Sequence, residues 1–190
     1  MIKKVRNKIW SFYNDWRLGR SKISHGGNTV IHGHLGLRVQ GTAIIGNNCY
    51  ISSGSDMNPL CARDNGFICV EKAASLIIGD DCAMSSPRIW AHQRITIGNA
   101  VMLGGNVTIV DSDCHSLDYH QRMDVDLDQA FKKNMPIIIE DNVFIGMNST
   151  ILKGVTIGAR SVIGACSVVT TSIPADCLAA GNPAKIIKSL

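Results

Sequence analysis

The residues best suited to chemistry stand in one short polar run, Asp111-Ser-Asp-Cys-His115-Ser-Leu-Asp-Tyr-His120. Imidazoles beside carboxylates do proton transfer or bind metals, and the bland alternative is a solvated acidic loop with incidental histidines. Metal chemistry has little other support. His25, His32 and His34 form a second group, but no Cys or carboxylate completes a recognisable ligand spacing near them. Asp124-Val-Asp126-Leu-Asp128 starts like a calcium loop, yet Gln129 stands at the turn glycine and Met135 at the closing glutamate, which excludes calcium.

His115 also stands where an aliphatic residue belongs. Upstream, Ile97, Leu103 and Ile109 recur at every sixth position, and His115 is the next in that series. About twenty residues to Met135 then show no such pattern, and the frame resumes at Ile139, 24 residues or four hexads beyond His115. A polar insertion that leaves and rejoins at constant phase predicts a protruding loop, and loops on rigid scaffolds carry chemistry.

The scaffold is legible from residues 139–174. Ile139, Ile145, Ile151, Ile157, Ile163 and Val169 are six apart without a gap, and Val143, Ser149, Val155, Ser161, Ser167 and Ile173 follow them four residues later. A period of six fits a parallel β-helix in which three hexapeptide sides close one coil of eighteen residues. Rungs ~4.8 Å apart would stack Ile139 on Ile157 and Ile145 on Ile163 inside the prism. Small residues in the fifth slot leave room for the aliphatic of the adjoining side. Gly146, Gly158 and Gly164 are expected to supply corner conformations that a Cβ would forbid.

Upstream the frame is weaker. It starts at Val39, Ile45 and Ile51, with Ala43, Cys49 and Ser55 in fifth slots; Ile31 and Leu37 fit the fifth slot alone, which puts the three early histidines on a first, irregular coil. It breaks between Met57 and Leu76, returns at Ile78-Gly79 and slips by one after Met84. Cys49 and Cys82 read as core fillers. Residues 2–18 read as a helix with an apolar side of Ile2, Val5, Ile9, Phe12, Tyr13 and Trp16. Through residue 22 there are seven Lys or Arg against one Asp, +6, so the rest of the chain must be −2 to reach the net +4. Two roles fit this helix: a cap over the open end of the solenoid, and a contact with an anionic membrane surface, with the cap favoured. The domain reading is therefore a basic amphipathic helix at 1–22, an all-β parallel β-helix at 23–176 with an extruded loop at 111–136, and a C-terminal tail at 177–190.

Composition agrees with a solenoid: Gly is 18 of 190 and charged residues are 18%, below the ~25% of ordinary chains. Seven cysteines without paired spacing predict reduced thiols and a cytoplasmic setting. No apolar run is long enough to span a bilayer, and no signal peptide is evident.

Over nearly its whole length the chain resembles the hexapeptide-repeat acyltransferases with a left-handed β-helix, and within them the sugar O-acetyltransferases of the galactoside, maltose and polysaccharide-modifying type. The resemblance rests on the hexads at 139–174, on Asn106-Val-Thr-Ile109 followed closely by a histidine at the loop root, on the extruded loop, and on the ending Gly181-Asn182-Pro183-Ala184-Lys185. It implies left-handed winding, acetyl-CoA as co-substrate with no metal, a homotrimer, and no nucleic-acid partner. It makes His115 the general base that takes a proton from a sugar hydroxyl attacking the thioester, with a backbone N–H serving the oxyanion. Asp111 and Asp113 both remain open as the group orienting the imidazole. Met147, Ala165, Thr170 and Thr171 match positions that line the pantetheine arm, and Lys185 and Lys188 match basic positions near the CoA phosphates. A Lys or Arg is common in the family where Thr171 stands. Ser86, Trp90 and His92 correspond to the acceptor-lining strand.

Three alternatives are weighed against this reading. A small-molecule acceptor, such as a galactoside or an antibiotic, shares the same base. A zinc carbonic-anhydrase-like β-helix would use His115 and His120, five apart, but has no third placed histidine and no use for the C-terminal motif. An inactive scaffold would be expected to lack His115. The serine-acetylating branch normally carries a large helical N-terminal domain and the sialic-acid and bacillosamine branch a nucleotide-binding one, and the single short helix here matches neither. The favoured acceptor is a sugar hydroxyl of a surface polysaccharide or its precursor.

Overall fold

The computed structural model describes residues 2–61 and 65–190, the side chains of residues 2–8 and 11 excepted. After helix α1 (Ile2–Arg20) the chain winds as a three-sided prism of short parallel strands. One side stacks β1 (Ile23–His25), β4 (Thr42–Ile45), β7 (Ser75–Ile78), β10 (Arg94–Ile97), β13 (Ile137–Ile139) and β16 (Thr156–Ile157). The second stacks β2 (Val30–Gly33), β5 (Tyr50–Ser53), β8 (Ala83–Ser85), β11 (Met102–Leu103), β14 (Phe144–Ile145), β17 (Val162–Ile163), β19 (Cys177–Gly181) and β20 (Ala184–Ser189). The third stacks β3 (Gly36–Val39), β6 (Phe67–Val70), β9 (Arg88–Ala91), β12 (Thr108–Val110), β15 (Thr150–Leu152) and β18 (Val168–Val169).

The expected ladders are present. Ile139 pairs with Ile157, Ile145 with Ile163 and Ile151 with Val169, all fully buried. The fifth-slot serines are buried too and satisfied: Ser149 and Ser167 donate to Gly164 O at 3.0 and 2.7 Å, and Ser161 to Pro174 O at 2.7 Å. An unpaired hydroxyl at these sites would cost a few kcal/mol of desolvation, so the bonds are what admits serine to the core. Cys49 and Cys82 fill the same slots and donate to Gly79 O and Gly98 O.

The corner glycines serve a different purpose from the expected one. Positive φ falls two residues later, on Asn148, Arg160 and Cys166, and likewise on Asn142, at 56–60°, a conformation that Asn tolerates better than most residues. Gly146, Gly158 and Gly164 are needed for close approach: a Cβ at Gly146 would lie 2.5 Å from Ala165 N, and one at Gly158 2.3 Å from Ala175 N. Stacked corners at rung spacing leave no room for a methyl group.

The coil begins earlier than the frame suggests. β1 and β2 already pair with β4 and β5, Ile23 opposite Ala43 and Ile31 opposite Ile51. The apparent break at 57–76 contains β6, whose Ile68 and Val70 are fully buried; the loop before it shifts them out of six-residue phase. The segment 177–190 is likewise ordered as a hairpin, with β19 parallel to β17 and β20 antiparallel to β19.

Helix α1 does cap the prism, and it does so with its polar face. Asn14 is 1% exposed and donates to Ile31 O and Gly33 O at 3.0 and 2.9 Å, Arg17 donates to Leu35 O, and Leu18 joins the core. The apolar residues Ile9, Phe12, Tyr13 and Trp16 face outward, Phe12 being 78% exposed. The first rung is a sheet edge whose carbonyls need donors, so a polar face covers it. The expected apolar positions Ile2 and Val5 lie outside the described side chains.

Candidate active site

Between β12 and β13 the chain leaves the prism as a loop containing α2 (Tyr119–Arg122) and α3 (Val125–Phe131). Its neck is closed by backbone bonds Met135 N to Asp111 O, 2.9 Å, and Asp113 N to Lys133 O, 3.0 Å. The core slot that sequence phase gave to His115 is filled by Ile139, paired with Ile97, so His115 is free of the core and stands at the loop root.

His115 Nδ1 lies 2.7 Å from Asp128 Oδ2. A carboxylate only accepts, so Nδ1 carries the proton and Nε2 is left with its lone pair. The imidazole is 68% exposed and the carboxylate 9%, an anchored acid holding an imidazole at the surface. Asp128 Oδ1 accepts from Ser116 N at 2.7 Å. The bond from His115, then that from Ser116, holds the Asp128 carboxyl below the usual carboxylate range. Asp124 caps α3 by accepting from Asp126 N and Leu127 N, both 2.9 Å, which points Asp128 one turn further on at His115. Arg122 Nη1 donates to Ser116 O at 2.6 Å and steadies the segment between them.

Neither carboxylate considered from sequence orients the base. Asp111 is fully buried and accepts from His92 N, Gln93 N and Arg94 N at 2.6, 2.8 and 2.7 Å; it ties the turn after β9 to the loop root. Asp113 pairs with Lys153 Nζ at 2.5 Å. Asp128 was hidden inside the run that resembled half a calcium loop, and its only sequence signal is an acid four residues after a helix-capping Asp.

Two grooves meet at this loop. One is lined in part by Glu71, Trp90, His92, His115 and Lys132. The other, about 490 Å³, continues along the third side over Arg38, Phe67, Trp90 and Val110. Trp90 joins them. Its Nε1 donates to Glu71 Oε1 at 2.8 Å, Glu71 pairs with Arg38 Nη2 at 3.1 Å, and Arg38 lies 5.8 Å over the indole. The Trp90 bond first, and Arg38 beside it, hold the Glu71 carboxyl below its ordinary range. His92 stacks on Trp90 at 4.6 Å, and its Nδ1 is 3.4 Å from Lys132 Nζ. Burial, then the Lys132 ammonium, pushes the His92 imidazolium pKa down. Ser86 is a correction: it is 1% exposed at a turn, accepts from Gly54 N at 3.0 Å, and lines neither groove. A hydroxyl bracing a turn has no lone surface to offer an acceptor.

The six residues expected to hold a cofactor do not converge within one chain. Met147 and Ala165 stack at the corner entering the third side, where Cys166 N donates to Met147 O at 2.8 Å. Thr170 and Thr171 are exposed at the corner leaving it, after β18. Lys185 and Lys188 are exposed on β20, opposite Ala180 and Leu178. Among the described residues no three His, Cys, Asp or Glu side chains gather as metal ligands, and no helix is long and apolar enough to cross a membrane.

Residues 136–171 match the bacterial transferase hexapeptide family, six repeats. A provisionally named acetyltransferase of Schizosaccharomyces pombe is 41% identical over 139 residues, 73% of this chain, and the chain spans 61% of that relative's length. The hexapeptide-repeat-containing acetyltransferase VCA0836 of Vibrio cholerae is 29% identical with a TM-score of 0.62, covering 94% of this chain and 80% of its own; the same protein has been solved with acetyl coenzyme A. A galactoside acetyltransferase solved with coenzyme A is 25% identical with a TM-score of 0.58, covering 93% of this chain and 68% of its own. The fold shared with these relatives is a left-handed parallel β-helix.

Proposed function

Because the chain carries the hexapeptide repeat of the bacterial transferases, we propose that it is an acetyl-CoA-dependent O-acetyltransferase acting on a sugar hydroxyl, in a surface polysaccharide or its precursor, in the cytoplasm. The observation that carries this reading is His115 held on Asp128 in the groove lined by Trp90, His92 and Lys132. His115 Nε2 takes the hydroxyl proton as the sugar oxygen forms its bond to the thioester carbonyl carbon. Asp128 keeps the Nδ1 proton in place and stabilises the imidazolium. When the C–S bond breaks, the same imidazolium returns its proton to the departing thiolate, so base and acid are one residue and no proton is left over. Trp90, fixed in its plane by Glu71, offers a flat ledge for the apolar face of a pyranose.

The C-terminal coils fit an extended thioester arm. Ala165, Thr170 and Thr171 are small and exposed, and Lys185 and Lys188 lie beyond them for an anionic end. Ala165 and the two threonines sit on opposite edges of the third side of the prism, and the lysines on the neighbouring side, which supports a trimer in which one copy supplies each edge of a shared cleft. The loop supports it as well: Leu117, Met123, Val125 and Phe131 are exposed apolar residues around His115 and Asp128, suited to a neighbouring prism.

The deciding measurement is thiol release from acetyl-CoA with nucleotide sugars, lipid-linked oligosaccharides, simple glycosides and antibiotics side by side. Saturable turnover is expected on a glycan precursor. Turnover confined to a simple galactoside or an antibiotic would overturn the acceptor, and release with none of them, with His115→Ala identical to wild type, would overturn the reaction.

A further inference from the structure

Helix α1 carries two faces with separate tasks. The face made by Asn14, Arg17 and Leu18 closes the prism through hydrogen bonds to Ile31, Gly33 and Leu35 carbonyls. That leaves Ile9, Phe12, Tyr13 and Trp16, spaced 3, 1 and 3 residues apart, as a continuous stripe in water on the other side. Among the described residues nothing buries Ile9, Phe12 or Trp16, which are 62%, 78% and 53% exposed.

We propose that this stripe is a docking surface for an anionic lipid bilayer, with α1 lying in the plane of the interface. The charge decides the occupant. Residues 1–22 carry seven cations and one acid, whereas the rest of the chain is net negative. Arg20, which takes no part in the cap, flanks the stripe itself, its guanidinium 5.0 Å over the Trp16 ring. Such a pair puts a guanidinium level with an aromatic ring, the arrangement that suits headgroup phosphates above and acyl chains below. A second copy on the same stripe would bring two +6 segments together across an interface one helix wide, smaller than the ~800 Å² per partner of stable complexes. Among the described residues no helix is long and apolar enough to cross a membrane, so on this proposal the helix rests on the bilayer surface. This inference is independent of the acyl-transfer reading.

The test is sedimentation of the full chain with vesicles of phosphatidylcholine alone and of phosphatidylcholine with phosphatidylserine, at low and high salt. Binding to the anionic vesicles only, weakened by salt, is expected. Phe12→Ser with Trp16→Ser should lower the partition coefficient at least tenfold, and Arg20→Glu about fivefold or more, with melting temperatures unchanged because these side chains touch no core. Equal binding to neutral vesicles, no binding to anionic ones, or a double variant that binds like wild type would overturn the proposal. So would a double variant that loses no lipid binding but falls to a smaller assembly in solution, which would assign the stripe to a second copy.

Discussion

His115 Nδ1 and Asp128 Oδ2 lie 2.7 Å apart although thirteen residues separate them, and both belong to the segment that interrupts the repeat. The loop therefore carries both the imidazole and the carboxylate that orients it, and the prism contributes only the wall they face. Tilting α3 would break the pair without disturbing a single rung.

Removing either member tests this unit. His115→Ala should lower acetyl transfer about 10²–10⁴-fold and leave CoA affinity nearly unchanged. Asp128→Asn should cost about tenfold or more in kcat with little change in KM, and the double variant should be barely worse than His115→Ala alone, since the two act together. Additive losses would show that Asp128 serves something other than His115.

At the cofactor end, Lys185→Glu should weaken acetyl-CoA more than a truncated pantetheine thioester, because only the former carries nucleotide phosphates. Equal weakening of both would make Lys185 a structural residue of β20.

Assembly is checked by light scattering on the purified chain. A trimer is expected, and replacing exposed loop residues, as in Val125→Asp with Met123→Asp, should shift it toward monomer with loss of activity. A stable and active monomer would remove the shared cleft from the argument.

The corners allow a stability comparison between two neighbouring residues. Gly146→Ala drives a methyl group into Ala165 backbone at 2.5 Å and should cost about 1–3 kcal/mol. Asn148→Gly, at φ +56°, relieves rather than adds strain and should change stability by less than about 1 kcal/mol. Urea midpoints at matched slope decide it, and equal effects would refute the division between close approach and positive φ.

His92 gives the protein a pH dependence of stability. Burial and Lys132 lower its folded pKa, with Asp111 and Glu71 acting weakly in the opposite direction and Arg38 with Lys132. The unfolded imidazole titrates near ~6.5, so as pH falls below that the unfolded chain binds the proton first. Stability present above pH ~6.5 is thus lost as the pH drops through the folded value. His32, whose pKa burial also lowers, adds the same sign. Thermal midpoints from pH 7.5 to 5 should fall less steeply in His92→Asn than in wild type; superimposable curves would assign the slope elsewhere.

The repeat was legible because burial in a solenoid is set by local spacing. An aliphatic at every sixth position has one way to reach a common interior, and that is why the spacing alone stacks Ile139 on Ile157 and Ile145 on Ile163. The same regularity exposed His115, since a broken period marks where the chain leaves the core. Inside the insertion no period survives, and which of several acids meets the imidazole depends on how two short helices pack; Asp111 was claimed by three backbone N–H groups and Asp113 by Lys153, leaving Asp128. The face of α1 was decided in the same way. Spacing showed that the helix has an apolar side and a polar one, but not what the open end of the prism required. Only the assembled first rung presented the carbonyls of Ile31, Gly33 and Leu35, and unpaired backbone acceptors call for donors, so Asn14 and Arg17 turned inward and the aromatic residues were left outside.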